Sequence, residues 1–389
     1  MEIIFWILLI TTIYSYFGYP FLLLLLNGIF RMFRTNTLPS KQSEWPEVTL
    51  FIAAYNESDF VHSKVKNTLS LDYPKEKLHQ IWVTDGSDDD TVEKLQQYPN
   101  EVTIYHQPAR QGKTGAINRG MHYVKTPFVI FSDANSMLNK QAVKNIIDAF
   151  SDPKTGCVAG EKRIKTNGKN SAVNAGEGIY WKYESLIKTW ESKLNSAMGA
   201  AGELFAIRNK LFSPIKKDTI LDDFTISMQI AKKGYRIAYS PDAYATESAS
   251  ININEEFKRK VRIAYGGFQT LFRQTSLLNI FKHPLLTFQY FSHKVLRWIF
   301  IPFAIFLLLI VNFFLFINNS DPVYIYLFIA QAILYVLALA GLIMQNTNLG
   351  FKWLFTPYYL FMMNYSTILG FIRFLKKKQS VNWERAKRK

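Results

Sequence analysis

The sequence has few of the residues that build disulfide frameworks and zinc sites. Cys157 is the only cysteine in 389 residues, which excludes an internal disulfide and suits a domain that faces the cytosol. The six histidines show no ligand spacing, so we expect no zinc site. Disulfide-stapled secreted scaffolds and zinc-binding modules are therefore excluded as classes for this chain.

Acidic residues are outnumbered, because 46 Lys and Arg stand against 30 Asp and Glu and give a net charge of +16. No recognisable nucleic-acid module accompanies this excess, so we expect no nucleic-acid partner. The bases lie instead beside apolar segments, with Arg31 and Arg34 after the first one and seven bases in residues 376–389. Such bases mark the cytoplasmic face of a membrane and its anionic lipids. The charge therefore predicts contact with membrane lipids and a basic cytosolic tail over 376–389.

Charged residues are nearly absent from four segments. Each is long enough to cross about 30 Å of hydrocarbon, and they are residues 3–30, 298–317, 323–344 and 353–372. The first has no basic region before it and no small-residue cleavage site after it, which argues against a secretory signal peptide. We expect an N-terminal transmembrane helix within 1–34 and C-terminal transmembrane segments within 297–375.

The number of crossings stays open at this point. If the central domain is cytosolic, three C-terminal crossings put the basic tail outside, against the positive-inside rule. Either 353–372, which holds Pro357, Asn364 and Gly370, is re-entrant or interfacial, or the amphipathic segment 268–296 enters the bilayer. We expect 268–296 to lie at the interface and the tail to lie in the cytosol.

The central part of the chain, residues 35–267, alternates short apolar runs with helix signals. Strand patterns alternate here with helix patterns, the strands over 48–57, 79–85, 102–107 and 127–135 and the helices over 58–70 and 112–124. This alternation predicts an α/β fold with a mostly parallel, doubly wound sheet. In such sheets ligands bind at the carboxyl ends of strands, which is where Asn56, Asp85 and Asp133 fall.

The stretch "FSDANSML" resembles a strand that runs into a metal site with one carboxylate missing. Asp133 is followed two residues later by Asn135, where a second acid would hold a divalent cation more firmly. An amide oxygen is a neutral ligand that can still complete the coordination of Mg²⁺ or Mn²⁺. We therefore expect a metal site that is poorly occupied without a bound nucleotide.

A glycine-rich helix start follows the third strand. "GKT" at 112–114 resembles the end of a P-loop, but that motif needs a glycine at the position of Gln107. Lys113 can still meet a phosphate through its charge and the free N–H groups of a helix start. A solvated lysine in the first turn is the alternative.

The later half of the domain carries a second set of signals. Small residues around Gly202 and Glu203 suit a tightly packed floor under a cavity. Asp222 and Asp223 open an apolar-periodic helix, and capping of that helix alone would explain both acids. Adjacent acids also allow one to cap while the other faces the cleft. The basic stretch over 257–267 reads by itself as a membrane-surface patch.

Together these motifs resemble the membrane-bound family 2 glycosyltransferases. This is the inverting GT-A group that contains cellulose, chitin, hyaluronan and poly-N-acetylglucosamine synthases and ceramide glucosyltransferase. The resemblance covers roughly residues 45–270 and rests on the order of the motifs "AAYNE", "TDGSDDDT", "GKTGAIN", "FSDAN", "LDDF" and "RKVRI". It implies a GT-A domain inserted between N- and C-terminal transmembrane helices, in the bacterial cytoplasmic membrane with the domain in the cytosol.

The resemblance assigns roles to individual residues. It implies that the donor, a nucleotide sugar with UDP as the nucleotide, is bound by Tyr55, Glu57, Asp85, Lys113, Asp133 and Arg262. It implies a metal, Mg²⁺ or Mn²⁺, on Asp133 and Asn135, and it makes Asp223 the general base. The acceptor side is assigned to Asp222, Gly202 and Glu203.

Two features depart from the family pattern. Arg259 and Ile263 stand where the QxxRW motif has its glutamine and tryptophan. Since processive members carry that tryptophan near the acceptor sugar, its loss weakens the case for long-chain synthesis. Exopolysaccharide or capsule synthesis is still the first expectation, with an oligomer or an export partner as an open possibility. The alternatives are transfer of one sugar to a lipid-linked acceptor and a non-catalytic nucleotide-sugar-binding subunit.

Overall fold

The computed structural model describes residues 1–33, 44–165, 172–248, 250, 252–318, 321–344 and 355–379. Arg34 and residues 380–389 of the predicted basic tail lie outside the described residues. The helices are α1 (Glu2–Ile13), α2 (Tyr19–Phe33), α3 (Val61–Leu69), α4 (Thr91–Leu95), α5 (Gly112–Met121), α6 (Ala142–Asp148), α7 (Ala172–Leu194), α8 (Asp222–Lys232), α9 (Ile253–Arg273), α10 (Pro284–Tyr290), α11 (Ile301–Asn318), α12 (Pro322–Met344) and α13 (Phe355–Leu375).

An eight-stranded sheet forms the centre of the domain. Its strands are β1 (Val48–Ala54), β2 (Leu78–Asp85), β3 (Thr103–Gln107), β4 (Phe128–Phe131), β5 (Met137–Leu138), β6 (Thr155–Lys165), β7 (Phe205–Arg208) and β8 (Arg236–Ser248). They lie in the order β3-β2-β1-β4-β7-β6-β8-β5. The β1–β2, β2–β3, β1–β4 and β6–β8 pairs are parallel, whereas β7 runs antiparallel to both neighbours. The predicted mostly parallel α/β sheet is confirmed.

The central strands β1 and β4 are buried along almost their whole length because helices cover both faces of the sheet. Alternate residues of β1 therefore enter different cores: Phe51 packs with Val83 on one face, while Leu50 and Ile52 pack with Trp82 on the other. This two-sided burial fixes the strand register. It also aligns the ends of β1, β2 and β4, so that the loops after them meet at one edge.

Within the described residues, three helical segments are long and apolar enough to cross a membrane: Glu2–Met32, Pro284–Asn318 and Pro322–Met344. Phe5 and Leu8 in the first half of the N-terminal segment pack against Leu308 of α11. In its second half, Tyr19 packs against Ile187 of α7. The first candidate span therefore contacts another candidate span through its first half and the domain through its second half.

The fourth predicted segment, 353–372, differs from the other three. Its described part, α13, does not reach the apolarity of the three candidate spans, because it carries Asn364 and several hydroxyl side chains. It packs along α9, where a Cβ on Gly370 would come within 2.5 Å of the Ala264 side chain. In the segment predicted as interfacial, 268–296, α9 ends at Arg273 and the second candidate span begins at Pro284. The interfacial placement and the domain limits stay predictions.

Gly120 tests the packing of α5 on the sheet. A Cβ at Gly120 would lie 2.6 Å from side-chain atoms of both Phe51 and Val83. Because these core side chains cannot move away, we expect Gly120→Ala to lower the free energy of unfolding by about 1–3 kcal/mol. Gly178→Ala is the control, since nothing lies within 4 Å of its Cβ position. Thermal unfolding in detergent checks both variants, and equal melting temperatures would contradict this packing.

Candidate active site

A cavity of about 260 Å³ lies at the carboxyl edge of the sheet. Asp133 enters it from the loop after β4, and Lys113 enters it from the first turn of α5. Asp222 and Asp223 reach it from the start of α8. Four residues that the sequence assigned to one site therefore line one cavity.

The ammonium group of Lys113 lies among these carboxylates. Its Nζ is 2.9 Å from Asp133 Oδ1 and 3.4 Å from Asp222 Oδ2. A Cβ built on Gly202 would lie 3.4 Å from Lys113 Nζ, 3.4 Å from Asp223 Oδ2 and 3.8 Å from Asp133 Oδ2. The absence of a side chain at Gly202 thus leaves room at the point where the charged groups converge.

Asp223 lies in the first turn of α8 without capping the helix, because the N-cap position is Leu221 and no side chain caps it. Asp223 Oδ1 accepts a hydrogen bond of 2.7 Å from the backbone N–H of the next residue, Phe224. Its Oδ2 faces the cavity at Gly202. Burial, reinforced by the neighbouring Asp222, raises the pKa of Asp223 to about 7 against the opposing effect of Lys113. A carboxylate with a pKa near neutrality is suited to accept a proton.

The charge of Lys113 is fixed by the same neighbours. Burial alone would lower the pKa of its ammonium, but Asp133, Asp222 and Asp223 together hold that pKa well above the usual value. The pKa of Asp133 is raised by burial, and Lys113 counteracts only part of that rise. Lys113 is therefore a permanent cation at the centre of the cavity.

A narrow slot of about 10 Å³ lies beside this cavity and shares Lys113 with it. Tyr55 and Asp85, which the resemblance assigns to the donor, line the slot, and their role there stays a prediction. The guanidinium carbon of Arg110 lies 3.6 Å over the centre of the Tyr55 ring. Sequence reasoning missed Arg110, although it is a lone base in the loop just before the "GKT" motif.

Asp85 is already engaged by the protein. Its Oδ2 accepts hydrogen bonds from the backbone N–H groups of Gln111, at 2.9 Å, and Gly112, at 2.6 Å. Its Oδ1 lies 3.4 Å from Arg119 Nη1. The carboxylate therefore holds the loop that leads into α5. Its predicted role in donor binding is separate from this structural one.

Three predicted site residues lie apart from this convergence. Glu57 is buried and lines neither cavity, and Asn135 is half-buried outside the residues that line the larger one. Glu203 does line the larger cavity, but its carboxylate forms an ion pair with the buried Lys162. Burial opposes ionisation of Glu203, yet Lys162 keeps its pKa below the usual value.

Lys64 supports the Asp133 loop from below. It is fully buried on α3, and its Nζ donates hydrogen bonds to Ser132 Oγ at 2.7 Å and to the Ser136 carbonyl. These two residues bracket Asp133 and Asn135. Lys64 also lies on the face of α3 that carries the buried Val61 and Val65, a signal that the sequence offered.

The wall opposite the carboxylates is basic and aromatic. It consists of side chains from α7, α9 and the second candidate span, namely Tyr180, Trp181, Glu184, Lys188, Arg259, Arg262, Ile263, Lys294 and Trp298. Arg262 was predicted at the site. Trp298 was not, although it packs 5.2 Å from the Phe224 ring beside Asp223.

The donor set for a metal consists of one carboxylate and one amide. No group of three or more His, Cys, Asp or Glu is placed to hold a metal within the described part of the chain. Asp133 is in contact with Lys113 at 2.9 Å, and Asn135 follows on the same loop. Such a set fits a hard divalent cation only if a bound ligand supplies further oxygens.

Comparisons with known proteins give three findings. A family model described as "Glycosyltransferase like family 2" matches residues 46–266, more than half of the chain. Poly-beta-1,6-N-acetyl-D-glucosamine synthase of Staphylococcus aureus (strain MSSA476) is 28% identical over 269 residues, 65% of this chain and 63% of the relative. The synthase of Staphylococcus epidermidis is 27% identical over 273 residues, 67% of this chain and 65% of the relative. The chain therefore matches a little under two thirds of the length of these relatives.

One solved structure is similar over nearly its whole length. It is the mannosyltransferase PcManGT from Pyrobaculum calidifontis in complex with GDP-Man and Mn²⁺, with a TM-score of 0.69 and 20% identity. The match covers 96% of this chain and 99% of that chain. The predicted GT-A fold with flanking helices is thereby confirmed.

Asp85→Asn tests whether Asp85 stabilises the loop before α5 in addition to binding a ligand. An amide in either orientation places its NH₂ group against donors of Gln111 and Gly112 or of Arg119. We expect the free energy of unfolding to fall by about 1–3 kcal/mol, because donors lose their acceptor. Thermal unfolding without ligand measures this, and nucleotide titration follows. An unchanged melting temperature with lost nucleotide affinity would show that Asp85 serves the ligand alone.

Proposed function

We propose that this chain, which belongs to the glycosyltransferase-like family 2, is an inverting transferase. It moves a sugar from a UDP-linked nucleotide sugar to an acceptor hydroxyl at a membrane. The observation that carries this proposal is the convergence of Lys113, Asp133 and Asp223 over Gly202. It puts a cation, a candidate metal ligand and a carboxylate of raised pKa within one small cavity. These are the groups that displacement of a nucleoside diphosphate requires.

The proposed reaction is a single displacement at the anomeric carbon. The acceptor hydroxyl attacks from the face opposite the diphosphate while Asp223 accepts its proton. As the bond to the diphosphate breaks, negative charge develops on the leaving oxygen. Lys113 stabilises that charge from the carboxylate side of the cavity, and Arg262 stabilises it from the opposite wall.

A divalent cation, Mg²⁺ or Mn²⁺, fits the same scheme. Asp133 and Asn135 would hold it, and the diphosphate would complete its oxygen ligands. When bound, it supplies further charge neutralisation for the leaving group. Lys113 lies 2.9 Å from Asp133 and already neutralises that carboxylate, so we infer weak metal binding before the donor arrives.

The similarity to poly-N-acetylglucosamine synthases supports extension of an exopolysaccharide or capsule glycan as the first choice of acceptor. Transfer of one sugar to a lipid-linked acceptor is the second choice. A specific observation favours it, because Lys294 and Trp298 of the second candidate span line the catalytic cavity.

We propose that the protein is embedded in the bacterial cytoplasmic membrane with its catalytic domain in the cytosol. One candidate span precedes the domain and two follow it. Two crossings after the domain return the chain to the cytosolic side, where the positive-inside rule places the basic tail. In this topology α13 lies against α9 without crossing.

Asp223→Asn tests the general base. We expect transfer to fall about 10²–10⁴-fold, since an amide cannot accept the proton, while nucleotide affinity stays within about twofold. Nucleotide release in detergent, with a panel of nucleotide sugars and membrane lipid extract, measures transfer. Asp218→Asn is the matched control, because Asp218 pairs with Arg273 at the surface. Loss of nucleotide affinity in Asp223→Asn would contradict its role as base.

The pH profile gives an independent check on Asp223. Its pKa of about 7 means that the carboxylate is protonated and inactive below neutrality. We therefore expect kcat/KM to fall about tenfold per pH unit below pH 7 and to level off above it. A profile that stays flat down to pH 5 would remove Asp223 from the proton-transfer step.

Asn135→Asp tests the metal site. A second carboxylate on this loop adds a charged ligand, so we expect the Mn²⁺ concentration for half-maximal activity to fall about tenfold, in the order of 1.4 kcal/mol. Titration of Mn²⁺ at saturating donor measures it. The control is Asn139→Asp, because Asn139 lies beyond β5 and is hydrogen-bonded to the backbone of Asp242 and Tyr244. An unchanged Mn²⁺ requirement would place Asn135 away from the metal.

A further inference from the structure

A second cavity, of about 490 Å³, adjoins the catalytic cavity on its membrane side. Four side chains line both cavities: Tyr180, Glu184, Lys294 and Trp298. Only this one layer of side chains therefore separates the catalytic carboxylates from the second space, which we call the membrane-side cavity. Its further walls come from the first span, α7 and α13.

The membrane-side cavity lies where both spans depart from α-helical geometry. Residues Tyr14–Gly18 of the first span and Phe291–Phe300 of the second are π-helical. Tyr14 and Ser292 join the two π-helical stretches by a hydrogen bond of 2.9 Å between their hydroxyl groups. π-Helical turns cost stability and are concentrated at functional sites. Because the two π-helical stretches contact each other here, we expect this region to have a functional role in addition to packing.

The outer rim of the cavity is apolar and exposed. Phe17 is 73% exposed, Ile179 is 51% exposed and Leu360 is 38% exposed. They belong to the first span, α7 and α13. A rim of this kind opens toward a hydrocarbon environment, since exposed apolar side chains at a membrane span face lipid.

The inner end of the cavity is charged. Lys294 Nζ is 3.0 Å from Glu184 Oε1, and Arg297 donates a hydrogen bond of 2.6 Å to the Tyr183 hydroxyl. Lys188, one turn after Glu184 on α7, lines the catalytic side of the same wall. Three cations therefore surround Glu184 at the junction of the two cavities, and a second buried carboxylate, Glu191, lies further along α7 against His293.

Lys188 provides the most specific signal. Its side chain is more than nine-tenths buried, yet its ammonium makes no hydrogen bond or ion pair within the part of the chain that the structure describes. The nearest ring, that of Tyr239, is 5.9 Å away. Glu184, Glu191 and Asp223 act on this ammonium electrostatically without a direct contact, and burial opposes its charge. An anion bound in the cavity would give Lys188 a direct partner.

We propose that the membrane-side cavity binds the hydrocarbon chain of a lipid-linked acceptor, with the phosphate that joins the lipid to its sugar held at Lys188 and Lys294. The lipid enters from the bilayer between Phe17 and Leu360. Its sugar then projects past Trp298 into the catalytic cavity, where a hydroxyl meets Asp223. The assignment of the reaction rests on the proposed function, whereas the lipid site rests on the cavity, its charges and its apolar rim.

A photolabelling experiment tests the site without requiring transfer. The full chain in lipid nanodiscs is labelled with farnesyl phosphate that carries a diazirine on its chain, and labelled residues are mapped by mass spectrometry. We expect labels on α13 at Leu360 and Met363, which line the cavity. Unlabelled farnesyl phosphate should compete at least tenfold better than farnesol, and inorganic phosphate should not compete.

Two variants with matched controls make the test specific. Lys188→Met, which keeps the length of the buried side chain, should abolish the preference for the phosphate over the alcohol, whereas Lys182→Met on an exposed position of α7 should not. Leu360→Trp fills the rim and should reduce labelling at Met363 at least tenfold. Ile333→Trp, at an exposed position of α12, should leave it unchanged.

The outcomes separate this proposal from its rivals. Equal competition by phosphate and alcohol in the unmodified chain would overturn the phosphate site. Labels spread over the outer face of α12 would show bulk lipid contact only. Protection of Leu360 and Met363 by a soluble oligosaccharide, but not by farnesyl phosphate, would assign the cavity to a growing glycan instead. Specific labelling together with no donor turnover would refute the proposed transfer while retaining the lipid site.

Discussion

The ammonium of Lys113 is the charge on which the site depends. Asp133, Asp222 and Asp223 approach one another in a largely buried space, where like charges repel strongly. Lys113 lies 2.9 Å from Asp133 and 3.4 Å from Asp222, and its positive charge offsets part of this repulsion. In the proposed function, a donor diphosphate would draw Lys113 toward itself and release Asp133 for a metal. Donor binding and metal binding would then be coupled through this one cation.

The first and second candidate spans help to build the site through their contacts with α7. Glu191 of α7 accepts a hydrogen bond of 2.6 Å from Tyr19 of the first span and lies 2.7 Å from His293 of the second. These contacts fix α7 between both spans. Since α7 and the second span also supply the basic wall of the catalytic cavity, the geometry of that wall depends on how the spans pack. A fragment without the two spans would lack Lys294 and Trp298 from this wall.

The loops of the site could be predicted because each has a recognisable pattern in its own stretch of sequence. Asp133 follows a buried strand, Lys113 stands in a glycine-rich helix start, and Asp223 opens an apolar helix. Parallel strand order then brings them to one edge without further information. The same local patterns predicted β1 to β4 of the eight-stranded sheet and four apolar segments, of which three are candidate spans within the described residues.

Partners from distant parts of the chain could not be predicted in this way. Glu203 is turned into an ion pair by Lys162, 41 residues earlier, and no periodicity relates the two. Asp85 is bound by backbone donors of a loop 26 and 27 residues later. Lys188 lies on a helix whose own pattern gives no reason for a cation, since the cavity that it faces is built by α9 and the second span. Such contacts depend on tertiary packing alone.

The catalytic cavity has an aromatic side chain even though the tryptophan of the QxxRW motif is missing from this sequence. Ile263 leaves the tryptophan position of the motif without an aromatic ring, but Trp298 of the second candidate span packs beside Phe224 and lines the same cavity. Gly267 makes room for it, because a Cβ there would lie 2.7 Å from the indole. In the proposed function, an acceptor sugar would therefore meet an aromatic surface on the second candidate span. The same helix also carries Lys294 at the wall between the two cavities, so this contact would suit the lipid-linked acceptor that we propose.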